Sequence, residues 1–234
     1  MPSQTEQAIA GFYDGIFRFY ESANSFLTFG LDRWWRSRAA KLVRNLSPDA
    51  STALDICAGT GDFSLTLYND YRGALKITGV DLSRAMLSKA RSKTNKIEFV
   101  EAEAKALPFA DGSFDLVTIS FAARNININR QLMLRALREF RRALKDGGIF
   151  LNLETTRPKN PLVNLIFRVY VKTAIGFLNL ASPTSRTSYT FLKNTILDFY
   201  GADEFSALLL EAGFKKPSYK ILFPGAVAVH TAVK

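Results

Sequence analysis

Ala53–Ser64 reads ALDICAGTGDFS, and Ile77–Ser83 reads ITGVDLS. Thr52–Cys57 is short and mostly apolar, the form of a buried strand. Ala58–Gly61 is a glycine turn, and Asp62 opens a helix. Lys76–Val80 is a second strand, ending at Asp81. Strand, Gly-x-Gly turn, helix, strand and acid in that order form a nucleoside-binding βαβ unit. Gly59 and Gly61 let the backbone turn tightly and approach a ligand with no Cβ between them. The helix start behind them offers free N–H groups. Asp81 stands where a carboxylate can accept from both hydroxyls of a ribose.

The ligand follows from what the turn lacks. A dinucleotide site calls for a third glycine three residues after the second; here that position is Ser64. Asp62, directly after Gly61, would repel a pyrophosphate. The acid suits a ligand with an amino group and a sulfonium and no phosphate, and S-adenosylmethionine is such a ligand. Asp81 would hold its ribose, Glu103 and Ala104 its adenine, and the turn at Gly59 and Thr60 its methionine end. Ser120, ending the fourth strand, falls on the same sheet edge, where open α/β folds bind ligands. As single residues these signals are weak: Asp81 also reads as a helix cap, Glu103 as a surface charge, and Asp115 as the closure of a strand start.

Outward from this unit, Ser83 caps a helix to Lys93, Ile97–Val100 is a third strand and Phe114–Ser120 a fourth. A long basic helix starts at Ile128 or Asn129 and runs to Leu144; Asp146-Gly147-Gly148 then turns the chain into a fifth strand, Ile149–Leu153. Strands alternating with helices predict a sheet that is parallel at its centre, with right-handed crossovers. A helix over Asp203–Glu211 leads to two strands, Ser218–Phe223 and Ala226–Val233, joined at Pro224-Gly225 as an antiparallel hairpin. Two segments stand outside this scheme. Residues 1–50 are helical and aromatic, with a cluster over Phe12–Tyr20, then Phe26, the Trp34-Trp35 pair and Asp32 as a helix cap. They form a packed layer or a lid. Residues 155–200 form an insertion holding the apolar Pro161–Ala181 stretch and a short helix near Leu192–Phe199.

At 234 residues, 47% apolar and 22% charged, the chain reads as one domain. Its net charge of +10 points to anionic surfaces, nucleic acid or acidic lipid. Nucleic acid is not expected, because the aromatics cluster with apolar neighbours instead of interleaving with Lys and Arg. The single cysteine, Cys57, allows no intrachain disulfide and fits a reducing compartment. With no secretory signal at the N-terminus, a cytoplasmic location is expected. Asn164, Arg168 and Lys172 interrupt Pro161–Ala181 and argue against a membrane span. They form one polar stripe on a helix that either joins the core or meets lipid tails while its cations snorkel. Peripheral membrane contact is the expectation that follows, helped by Arg135, Arg138, Arg141, Arg142 and Lys145 unless these are only a solvated helix face. Oligomeric state is open.

LDICAGTGD, GVDLSRAML, EAEAKALPFADGSFDLVTISFAARN and LREFRRALKDGG resemble the ubiquinone/menaquinone C-methyltransferase family. The likeness extends to the aromatic entry segment, with Tyr20, Asn24, Gly30 and Trp35 in step, to SRTSYTFLKNTI and to the terminal GAVAVHTAVK, and so covers nearly the whole chain. The resemblance implies a Rossmann-like class I methyltransferase fold with a mostly parallel seven-stranded sheet. It places cofactor contacts on Thr60, Asp81, Glu103, Ala104 and Ser120. Ala58, Glu103 and Ala122 depart from the family's usual Gly, Asn and Gly. It also implies methylation, without a metal, of a ring carbon of a reduced prenylated quinone; another phenol, sterol or lipid is the alternative acceptor. Arg124 is the candidate for stabilising a phenolate or holding a water that takes its proton, with a structural salt bridge as the competing role. Tyr189 is the candidate for orienting the ring hydroxyl. His230, in a terminal strand, reads as a packed structural histidine.

Overall fold

The computed structural model describes residues 25, 27–181 and 186–234. The aromatic cluster expected over Phe12–Tyr20, the positions Asn24 and Phe26, and residues 182–185 lie outside the described residues. In chain order the elements are α1 (Leu31–Leu46), β1 (Thr52–Ile56), α2 (Asp62–Asp70), β2 (Lys76–Asp81), α3 (Arg84–Lys93), β3 (Glu98–Glu101) and β4 (Phe114–Ser120). Then come α4 (Ala123–Ile126), α5 (Arg130–Ala143), β5 (Leu144–Thr155), α6 (Pro161–Ala181), α7 (Arg186–Leu197), α8 (Ala202–Glu211), β6 (Lys215–Leu222) and β7 (Val227–Val233).

The strands form one seven-stranded sheet in the order β3-β2-β1-β4-β5-β7-β6. The first five pair in parallel, and β7 and β6 close the sheet antiparallel, as the alternation of elements and the terminal hairpin require. Period-two alternation divides each central strand between two cores. Leu54, Ile56, Val117, Ile119 and Phe150 pack with Phe140 of α5 and Phe205 of α8. Ala53, Leu116 and Leu151 face the other side, toward Val43 of α1, Leu67 of α2 and Leu87 of α3. The strand order reverses between β1 and β4, so a crevice opens at the carboxyl ends of β1, β2 and β4.

Several boundaries differ from the sequence expectation. Cys57 does not continue the first strand: its φ of 51° makes it the first residue of the turn. Asp32 does not cap α1. Gly30, in the left-handed region with φ 74°, takes the cap position, and Asp32 sits in the first turn, where a carboxylate complements the helix dipole. The fifth strand starts at Leu144, because Leu144 pairs with Phe114 before the register shifts to Leu116↔Ile149; Asp146–Gly148 bulges out between the two. The helix expected near Leu192–Phe199 is α7 and ends at Leu197. The cap at Ser83 is as expected, its side chain accepting from Met86 N at 3.1 Å. The basic helix starts one residue after Asn129, whose side chain caps it by accepting from Leu132 N at 2.9 Å, and it ends at Ala143, one residue short of the expected Leu144.

α6 and α7 pack on each other through Val171, Ile175, Tyr189, Leu192 and Leu197, a third small core. The interruptions in α6 do not disqualify it as a span by composition: Pro161–Asn179 has a mean hydropathy of 1.4 and is long and apolar enough to cross a membrane. Only 11% of that stretch is buried.

Candidate active site

The glycine turn, β2 and β4 meet in a cleft at the carboxyl edge of the sheet. Its walls include Asp55, Gly59, Thr60, Asp62, Asp81, Ala104 and Ser120. β1 delivers Asp55 and β2 delivers Asp81, because both strands end in register at this edge. Asp81 also builds the site: Oδ2 accepts from Gly59 N at 2.9 Å and Oδ1 from Ser83 N at 2.9 Å. One carboxylate thus ties the glycine turn to the start of α3. Two oxygens carry about four acceptor positions, so it keeps capacity for further donors.

The turn needs its glycines for different reasons. At Gly61, φ is +77° and an added Cβ would stand 2.9 Å from Phe99 Cζ, inside the core. At Gly59, φ is +55° and nothing lies within 4 Å of the same addition, so the backbone there borders open cleft. Asp62 is held by Lys93 Nζ at 2.5 Å and accepts from Thr60 Oγ1 at 3.2 Å. Its charge is therefore partly offset. The stronger mark against a dinucleotide is Ser64, which is buried and donates to Asp55 Oδ2 at 2.5 Å, so a polar pair fills the place where a glycine would let helix and strand close up. Burial raises the Asp55 carboxyl to about 6, against the hydrogen bonds from Ser64 and Thr118.

Ser120 lines the cleft, and its Oγ is buried with no hydrogen-bond partner. Ala104 lines the cleft with Ala102, but Glu103 between them does not. A bridge between Glu103 and Ala106 turns that segment, and the Glu103 carboxylate lies 3.9 Å from Lys105 Nζ. Of the expected cofactor residues, then, Gly59, Thr60, Asp81, Ala104 and Ser120 line the cleft and Glu103 does not. Arg36 and Phe121 also belong to the wall. Arg36 donates to Asp32 Oδ2 at 2.6 Å and stands 5.8 Å over the Phe121 ring. No motif marked Arg36, one arginine among several on α1.

A second, apolar pocket adjoins the first and shares Phe121 with it. Trp35 of α1, Phe167, Val171 and Ile175 of α6, and Leu192 of α7 supply much of its wall. Arg124 and Tyr189, far apart in sequence, both line it. Arg124 Nη1 donates to Glu154 Oε1 at 2.6 Å, and both side chains are buried. Glu154 Oε1 also accepts from Thr155 N at 2.8 Å. The salt bridge weighed for Arg124 is therefore present, and it holds the guanidinium at the pocket wall. Glu154, one residue beyond the expected end of the fifth strand, carries no sequence signal that marks it as the partner of Arg124.

Residues expected to be structural are structural. His230 Nε2 lies 3.0 Å from Ala202 O, and burial lowers its pKa to about 4. Asp115 accepts from Ser51 N, Thr52 N and Lys145 Nζ, pinning the starts of β1 and β4 together.

The whole chain, residues 1–234, matches the ubiE/COQ5 methyltransferase family. The chain belongs to this family. It is 32% identical over 237 residues to a demethylmenaquinone methyltransferase of Bacillus licheniformis, with all of both chains covered. It is 35% identical over 242 residues to the ubiquinone/menaquinone biosynthesis C-methyltransferase UbiE of Bartonella quintana, covering 99% of this chain and 90% of that one. A solved S-adenosylmethionine-dependent methyltransferase of Thermotoga maritima, described as a possible histamine N-methyltransferase, superposes with a TM-score of 0.68 at 21% identity, covering 96% of this chain and 99% of that one. That likeness establishes the class I methyltransferase fold.

As a member of the ubiE/COQ5 family the chain is a methyltransferase that uses S-adenosylmethionine, and the cleft fits that cofactor. Carboxylates at Asp55, Asp62 and Asp81 offer acceptors for hydroxyls and an ammonium, Arg36 is a partner for a carboxylate, and Ser120 Oγ awaits a polar neighbour. Asp81 would hold the ribose, and Ala102 and Ala104 leave room for a flat base.

Proposed function

We propose that this chain methylates a ring carbon of a reduced, prenylated quinone, a step of menaquinone or ubiquinone synthesis, as a cytoplasmic protein in peripheral contact with the membrane that holds its substrate. The observation that carries this reading is the apolar pocket joined to the cofactor cleft at Phe121, with the Arg124 guanidinium set in its wall. A flat quinol ring fits beside Phe121 and Arg124, and a prenyl chain fits the Leu, Ile, Val and Phe surface beyond.

Bound in the cleft, S-adenosylmethionine supplies a methyl group on a sulfonium that leaves as a neutral thioether. What remains is to make the acceptor carbon nucleophilic. Loss of a phenolic proton pushes electron density onto the ortho carbon, but a phenol ionises only near pH ~10. Arg124 stays protonated at neutral pH and, fixed by Glu154, stabilises the developing phenolate without having to reorganise. Tyr189, buried on α7, orients the second ring hydroxyl. The apolar walls exclude water, which strengthens the guanidinium's pull. Water held at the guanidinium takes the phenolic proton; once the ring carbon has taken the methyl group, its own proton passes to the ring oxygen, so the product is again an aromatic quinol and one proton is released overall.

The test is an assay with S-adenosylmethionine and two reduced acceptors lacking the ring methyl, a prenylated naphthoquinol and a prenylated benzoquinol. Methylated product from at least one is expected. A folded, cofactor-binding protein that turns over neither would overturn the proposal.

A further inference from the structure

The apolar residues of α6 divide between two faces. Val171 and Ile175 turn inward. Leu162, Leu165, Ile166, Val169 and Phe177 turn outward and are 55–68% exposed. Leu162, Leu165, Ile166 and Val169, three and four residues apart, make one apolar stripe over the first turns of the helix, and Phe177, eleven residues after Ile166, lies on the same face beyond Lys172 and Thr173. Two other elements extend it. Phe29, before α1, is 77% exposed, and its ring lies 5.7 Å from that of Tyr170 on α6. Phe223, at the β6–β7 turn, is 70% exposed, and Trp35 Nε1 donates to its carbonyl at 2.7 Å. Phe29, Ile166 and Pro224 also line the apolar pocket. The exposed apolar surface and the mouth of the pocket are thus one feature.

Charge indicates what covers it. From residue 155 to residue 197 the chain carries Arg157, Lys159, Arg168, Lys172, Arg186 and Lys193 and no Asp or Glu; Arg157 and Lys159 pair with Glu204 and Asp203 of α8, while Arg168 and Lys172 belong to α6 itself. Lys172 is exposed on the outward side of α6 itself. Several basic residues of α5, by contrast, are engaged within the molecule: Arg130 pairs with Glu211, Arg142 pairs with Glu139 and Asp111, and Arg141 donates to Gly213 O. Lys145, at the start of β5, pairs with Asp115. Arg135 and Arg138 stay exposed on α5, away from the apolar stripe of α6. An apolar stripe set in an acid-free, cationic segment is complementary to a bilayer whose headgroups are anionic.

We propose that the outward face of α6, with Phe29 and Phe223, lies in the interface of an anionic bilayer, so that the apolar pocket opens directly into the acyl region. This rests on the quinol reading for the identity of the substrate, but not for the contact itself. A prenyl chain would then enter sideways between Phe29 and Ile166 without crossing water, while Lys172 reaches up to the headgroups.

The test is flotation of the full chain with vesicles of neutral lipid and of neutral lipid with one-third anionic lipid, for wild type, Leu165→Glu/Val169→Glu and Lys172→Glu. All three substituted side chains are outside the pocket wall and the cleft, and circular dichroism checks folding. Wild type should float with anionic vesicles, and Leu165→Glu/Val169→Glu should partition at least ~10-fold more weakly. Lys172→Glu should lose the preference for anionic over neutral lipid. Turnover of a short-chain, water-soluble quinol should be unchanged in all three, while turnover of a long-chain quinol embedded in vesicles falls with the binding. Wild type that stays with neither vesicle, or Leu165→Glu/Val169→Glu floating as well as wild type, overturns the proposal. So does a wild-type dimer in sedimentation that this double substitution disperses, which would assign the face to a second copy. Failure of wild type on the soluble quinol would sink the quinol reading and leave flotation to decide the contact.

Discussion

Arg124 and Glu154 form a buried ion pair of 2.6 Å at the wall of the apolar pocket, joining α4 to the end of β5. Glu154 also takes Thr155 N–H, so the acid is held from the backbone and in turn fixes the guanidinium. Truncating one partner of such a pair leaves a buried charge alone and costs about 3–5 kcal/mol. Arg124→Ala is therefore a poor probe by itself. Arg124→Lys keeps the charge and loses the planar fork. It should lower kcat by roughly 10²-fold, the scale for removing one oriented donor from a developing anion, with cofactor affinity by calorimetry unchanged. Wild-type turnover in a folded Arg124→Lys enzyme would remove Arg124 from the chemistry.

Asp81 couples structure and binding, since the oxygens that would meet a ribose already hold Gly59 N–H and Ser83 N–H. Asp81→Asn replaces one acceptor oxygen with a donor. Charge-assisted hydrogen bonds contribute about 1.5–3 kcal/mol each. Cofactor Kd measured by calorimetry should rise by 10-fold to 100-fold. An unchanged Kd would displace the ribose from Asp81.

The contrast between Asp81 and Arg124 shows what the chain's order made legible. Asp81, the glycine turn and Ser120 follow from local pattern, because a parallel sheet carries every strand end to the same edge. Arg124 and Tyr189 were legible as a pair only through the family likeness. Their meeting depends on α6 and α7 folding back over β4 and β5, which periodicity does not dictate. Glu154 was invisible as a partner, since an acid ending a strand has no signature for an arginine 30 residues away. The Glu103 side chain is set by local geometry. A turn bridging it to Ala106 directs its side chain to Lys105, and side-chain direction in irregular backbone cannot be read from spacing.

Gly61 is the most constrained position of the turn. Alanine there would combine a φ of +77° with a Cβ 2.9 Å from Phe99 Cζ. Left-handed strain and overpacking each cost about 1–3 kcal/mol. Gly61→Ala should lower the urea midpoint with an unchanged slope. At Gly59, where nothing stands within 4 Å, alanine carries the backbone strain alone and should be milder for stability while intruding on the cleft. Equal loss of stability at both sites would contradict the packing described for Gly61.

Two buried groups make opposite demands on pH. Burial raises Asp55 from 3.8 to about 6, so the folded state holds a proton that the unfolded state has already released. Stability from Asp55 is greatest below about pH 4 and declines as pH rises toward 6. Burial lowers His230 from 6.5 to about 4, so the unfolded state binds the proton first. Stability from His230 is full above pH 6.5 and declines as pH falls toward 4. Each contribution is on the order of 3 kcal/mol, with opposite signs over nearly the same window. The wild type should therefore show a nearly flat denaturation midpoint between about pH 4.5 and 6. Asp55→Asn removes one arm and leaves His230 unopposed, so its stability should climb steadily with pH across that window. Urea titrations of the cofactor-free protein at several pH values measure both slopes. A variant as flat as wild type would mean that Asp55 is ionised in the folded protein throughout.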